Sequence, residues 1–145
     1  MRVGWWMPIV LGTLAWPACT VGLTAPPDAA ACSPSTDFFV SDVFPRYLVS
    51  NRCNLSGCHD FATGHGTLRL RPPEAPPAPG TPLTAFPFAW RENYLSAIQP
   101  IRCDAPTESR LLTVPEGVGN LHPPGPVVLD RMVAAQVITA WIAGP

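Results

Sequence analysis

Apolar side chains recur at helical spacing in four stretches of this chain, and proline-dense segments separate them. Val43 and Tyr47, and Phe44 and Leu48, lie four apart, which puts each pair on one face of a helix. Ser41 is placed to cap that helix, predicted over residues 41–51 with Pro45 still in its first turn. A second helix is predicted over residues 89–98, stopped by Pro100. A short third follows Pro106, carries Leu111 and Leu112 and ends at Pro115. The last begins at the cap Asp130, aligns Val133, Val137, Ala140 and Trp141 on one face, and stops at Gly144. The fold class this predicts is all-α, with about four short helices.

Composition limits how much more regular structure there can be. Of 145 residues, 20 are proline, far above the average of about 5%. The densest tract, residues 72–87, holds seven of them and predicts an extended, polyproline-like loop, either an ordered wrap or a docking ligand.

The amino terminus has a different character. Arg2 precedes an apolar stretch over residues 3–16, too short for a bilayer span of about 20 residues. Pro8, Pro17 and two glycines interrupt it, so it is poor material for a buried helix and is read as an export signal. The run Leu14-Ala15-Trp16-Pro17-Ala18-Cys19 resembles a bacterial lipoprotein signal, although Trp16 and Pro17 depart from the pattern. It makes Cys19 a candidate lipidation site and lipid anchor. Cleavage after Ala31 in the run Ala29-Ala30-Ala31 competes. The expected organisation is a signal over 1–18, a tether over 19–36 and one folded domain over 37–145.

Charge excludes one class of partner. The formal net charge is −1, which argues against nucleic acid. All nine basic residues are arginine, so docking through a ring of lysines is excluded. There is no Gly-x-Ser-x-Gly elbow, no phosphate loop and no spaced carboxylate pair, and nothing points to a hydrolase.

The informative chemistry lies in the run Cys53-Asn54-Leu55-Ser56-Gly57-Cys58-His59. Two thiols followed at once by an imidazole is the arrangement that fastens a haem by two thioethers and ligates its iron through the histidine. The usual spacing has two residues between the cysteines, and here there are four. Two rival readings exist: a Cys53–Cys58 disulfide beside a surface histidine, and a zinc site completed by another histidine. Adjacent Cys and His ligands are awkward on one tetrahedral ion. In an oxidising compartment cysteines should not sit idle. If Cys53 and Cys58 carry haem and Cys19 carries lipid, Cys32 and Cys103 remain as a candidate disulfide.

Asp42-Val43-Phe44-Pro45 followed by Cys53 to His59 resembles the haem-attachment segment of small exported monohaem cytochrome c domains of the myxobacterial and planctomycete type. Ser56-Gly57-Cys58-His59 matches that group's widened ending. Pro106 with Ser109-Arg110-Leu111-Leu112 resembles its third helix, and residues 130–144 its closing helix. His122-Pro123-Pro124-Gly125 stands where the group carries its distal-ligand loop, usually Met-Pro-Pro-Gly. The tract over residues 72–87 has no counterpart. The resemblance implies a cytochrome c-like fold around one covalent haem c, held by Cys53 and Cys58 and ligated by His59. His122 is then the sixth ligand, with His65 as competitor and an open position as a third option.

The implied function is one-electron transfer with redox protein partners at the periplasmic or outer cell envelope, a carrier and not an enzyme. Two alternatives remain: a disulfide-stapled exported binding module that presents its proline tract, and a haem sensor or peroxidase with an open iron.

Overall fold

The computed structural model describes residues 32–117, 122 and 130–144. Its first helix starts earlier than the sequence pattern predicts. Ser35, not Ser41, is the cap: its hydroxyl accepts the Phe38 N–H at 3.1 Å and opens α1 (Thr36–Phe38). The chain continues without a break as a π-helix, Phe39–Val49, with Pro45 inside it. In an α-helix, a proline this far from the cap would drive its ring into the carbonyl four residues back. The wider π turn relieves that clash, and the Ser50 and Cys53 amides still donate five residues back, to Pro45 and Leu48. The two predicted apolar pairs, Val43 with Tyr47 and Phe44 with Leu48, are all buried, together with Phe39.

α2 (Phe88–Ile98) follows the predicted range. A 3₁₀ turn (Pro106–Glu108) leads into α3 (Arg110–Thr113), which buries Leu111 and Leu112. α4 (Arg131–Ala143) is capped by the Asp130 carboxylate, which accepts the Met132 and Val133 amides. Its buried face differs from the predicted one. Ala134, Ile138, Trp141 and Ile142 face the core, while Val133 is 50% exposed and Ala140 is exposed. The segment is apolar almost all round, so periodicity alone could not choose its face. Among the described residues there is no strand, only a single parallel bridge between Asp60 and Leu70. The all-α class holds on those residues, and none of their helices is long and apolar enough to cross a membrane.

Phe39 is the hub of the core. Its ring lies 5.4 Å from Tyr94 and 5.5 Å from Trp141, and Phe44 lies 4.9 Å from Trp90. These contacts tie the π-helix to α2 and α4, with tilted or edge-on geometries that suit the ring quadrupoles. Each polar tip also finds a carbonyl. Tyr47 donates to Leu111, Tyr94 to Pro34 and Trp141 to Ser35. Burial raises the Tyr47 phenol pKa well above its ordinary value and that of Tyr94 to about 12, so both remain donors at any physiological pH. The two carbonyls at Pro34 and Ser35 bind residues 32–36, expected as the end of a tether, into the fold. A disulfide from Cys32 to Cys103, with Cα atoms 5.7 Å apart, does the same.

The proline tract is an ordered wrap across α2. Asn93 is fully buried and pairs with both backbone groups of Arg71, accepting its N–H at 2.7 Å and donating to its carbonyl at 3.1 Å. Further along, Trp90 donates to the Glu74 carbonyl, and the Asp37 carboxylate accepts the Gly80 amide. Asn93→Ala would strand the two Arg71 groups, and it is expected to cost about 2 kcal/mol. Urea denaturation measures that cost, and faster proteolysis within residues 72–87 should accompany it.

Candidate functional site

Three residues past the end of the π-helix, Arg52 adopts φ 59°, an uncommon conformation for a residue with a side chain. That reversal hangs Cys53 beneath the helix end. Its amide reaches back to Leu48 at 2.9 Å, and the residue is 6% exposed. The next residues turn tightly. The Leu55 amide bonds Arg52, the Cys58 amide bonds Leu55, and Gly57 takes φ 77°. The His59 amide then donates to the Cys53 carbonyl at 3.0 Å. This bond closes the run from Cys53 to His59 into a ring, so the widened spacing still brings the histidine backbone back against the first cysteine. The two thiols are not bonded to each other; Cys53 is buried and Cys58 exposed. Burial, with the nearby Cys58 adding to it, raises the Cys53 thiol to about 11.

Asp60 braces the ring. One carboxylate oxygen accepts the Ala62 and Thr63 amides, and the other accepts the Gly57 amide and the Thr63 hydroxyl at 2.6 Å. These bonds, the Thr63 hydroxyl foremost, hold the carboxyl pKa at about 2. The folded value lies below the unfolded value of about 3.9, so the brace is complete above about pH 4. It is lost as pH falls towards 2. Slowed exchange of the Gly57 amide is therefore expected at pH 5 and lost near pH 2. In Asp60→Asn that acid step should vanish, because no carboxylate is left to protonate.

His59 is gripped from both sides of its backbone, since the Leu70 amide donates to its carbonyl at 2.7 Å. Gly64 passes so close that a Cβ there would lie 2.3 Å from the Asp60 carbonyl, which only glycine allows. The imidazole Nδ1 faces two carbonyls, His65 at 2.9 Å and Leu68 at 3.1 Å. Carbonyls only accept, so Nδ1 carries the proton and the Nε2 lone pair is left for a ligand role. Burial lowers the His59 pKa, the carbonyl bonds oppose it, and the His122 and Arg69 charges lower it further. The lowered pKa favours the neutral ring, the form in which a histidine ligates a metal.

Across from it stands His122, half-buried, with its ring centre 6.0 Å from that of His59 and the planes tilted by 34°. Two imidazoles sharing one metal ion have centres about 6 Å apart, from a bond of about 2 Å on each side plus each ring's radius of about 1.1 Å. His65 is placed otherwise. Its side chain is exposed, and its backbone serves the site through the carbonyl under His59 and an amide bonded to Cys58 at 2.7 Å.

The residues present fit a covalent haem: two unjoined thiols, an oriented neutral imidazole and a second imidazole at ligand spacing. Among the described residues no three His, Cys, Asp or Glu side chains gather to hold an ion. Cys19, the signal over 1–18 and the prolines after His122 lie outside the described residues.

Sequence reasoning passed over Asp60, Thr63, Gly64 and the Leu68 carbonyl. An Asp with a Thr three residues on is a turn signature that could have flagged the first two. No family model matches the chain, and no curated protein or solved structure does either.

Proposed function

We propose that the protein is an exported monohaem c-type cytochrome that passes single electrons at the bacterial cell envelope, with a cytochrome c-like arrangement of its helices. The observation that carries this reading is the pair of imidazoles, His59 and His122, 6.0 Å apart beside two unjoined thiols. Bound there, a haem c supplies an iron that cycles between ferrous and ferric states.

The chain's own residues do the rest. Cys53 and Cys58 anchor the group through thioethers. His59, its tautomer set by the His65 and Leu68 carbonyls, holds the proximal coordination site without rotating. His122 would hold the iron from the other side, leaving no coordination position for a small gas. Two histidines place the potential below that of histidine–methionine relatives, since methionine ligation raises it.

The signal-like amino terminus supports a place in the periplasm or outer envelope, with Cys19 as the candidate lipid anchor. Its partners there are redox proteins.

The test is expression of the full chain alongside cytochrome c maturation factors, followed by a haem stain on a denaturing gel. A stained band at the chain's mass, with a low-spin ferric spectrum lacking the methionine–iron band, is the expected result. A colourless protein would sink the proposal and favour the disulfide-stapled binding module. A stained protein that binds carbon monoxide when reduced would favour an open-iron sensor.

A further inference from the structure

Beside the His59 loop the surface carries a ladder of alternating rings and guanidinium groups. The Arg71 guanidinium carbon lies 3.3 Å from the centre of the Phe61 ring and 4.8 Å from that of Phe88. Arg91 approaches the same Phe88 ring at 5.8 Å. Both rings are unusually open for phenylalanine, 47% and 52% exposed. We propose that this ladder is a docking face for an acidic protein surface.

Charge identifies the occupant. The ion pairs among the described residues engage Arg46 and Arg102 only, so neither Arg71 nor Arg91 is matched by a carboxylate there. The Arg71 Nε is buried with no acceptor. A guanidinium lying over a ring loses hydration on that face, while its in-plane N–H groups keep the fork geometry that suits a carboxylate. Arginine and aromatic residues are also the types that concentrate binding energy at interface centres. The fitting partner is therefore a protein patch with two or more carboxylates around an apolar centre. Nucleic acid is disfavoured by the chain's net charge of −1.

The face is built in advance, which lowers the ordering cost of binding. Asn93 clamps the Arg71 backbone on both sides, Asp60 fixes the turn that presents Phe61, and Phe88 opens α2. Phe61 lies two residues beyond His59, and the Leu70 amide bonds the His59 carbonyl. A partner seated on the ladder would thus lie against the attachment loop; that consequence alone rests on the electron-carrier reading.

The probe is a random glutamate–tyrosine copolymer, its binding to the full chain followed by fluorescence anisotropy at low and high salt, with and without haem loading. Wild type should bind at low salt and lose affinity steadily as salt rises. R71Q/R91Q and F61A/F88A should each weaken binding on the order of tenfold, while R110Q, away from the ladder, should not. R91Q alone, which leaves the Phe61–Arg71 stack in place, should lose severalfold even if the double variants fold poorly. Absence of wild-type binding at low salt, equal binding by R91Q and wild type, or preference for an oligonucleotide over the copolymer would each overturn the proposal. The two readings separate cleanly. A colourless protein that binds the copolymer keeps the docking face and loses the cytochrome, and a haem-bearing protein that ignores it does the reverse.

Discussion

Alanine at His59 should cut the yield of haem-bearing protein by roughly tenfold or more, whereas alanine at His65 should leave it unchanged. The two residues sit on one loop yet contribute different atoms. His59 offers its ring, with Nδ1 tied to two carbonyls and Nε2 left to ligate. His65 offers its backbone carbonyl, which alanine keeps, while its side chain is exposed. Cys53→Ala and Cys58→Ala should each mature with one thioether and a shifted ferrous spectrum. His122→Ala should keep both thioethers but let the reduced protein take up carbon monoxide, and His122→Met should raise the potential. Haem-stained gels, ferrous spectra and carbon monoxide difference spectra measure all of these. Loss of low-spin character in His65→Ala, with His122→Ala silent, would move the distal role to His65.

Removing the Cys32–Cys103 bridge by a double serine substitution should lower stability by about 4 kcal/mol. The bridge spans 71 residues, and loop closure of that length is what it removes from the unfolded chain's entropy. The loss corresponds to a fall in Tm of roughly 12–24 °C for a domain of this size. Calorimetry of wild type with and without a reductant, against the double variant, checks it, because the variant should be indifferent to reductant. Both thioethers should survive, so the haem spectrum should change little below the melting transition. Two alkylatable thiols at Cys32 and Cys103 in the native protein would rule the bridge out.

Much of the secondary structure was legible because it depends on neighbours in sequence. Asp130 caps α4 with its own carboxylate, Pro100 limits α2, and Val43, Phe44, Tyr47 and Leu48 repeat at the helical period. The start of the first helix departs from the sequence pattern for a local reason as well. Pro45 suggested a first turn, but a π register tolerates it in the interior, and Ser35 caps the segment six residues before Ser41.

What the sequence by itself determined was an inventory: an all-α chain, a proline wrap, a thiol–thiol–imidazole run and a second histidine of ligand type. These follow from side-chain chemistry and short-range periodicity, which need no partner element. Only the tertiary structure decided which face of α4 is buried, because an almost wholly apolar segment carries no period to read. It also decided that the widened run is closed by the His59 amide on the Cys53 carbonyl, that Asn93 orders the wrap, and that His122 comes to 6.0 Å from His59. These arrangements are contacts between chain segments, and some join residues more than 60 apart. The His59–Cys53 closure is local but turns on the φ 59° reversal at Arg52, and the others depend on segments distant in sequence meeting, a relation that no short window of residues contains.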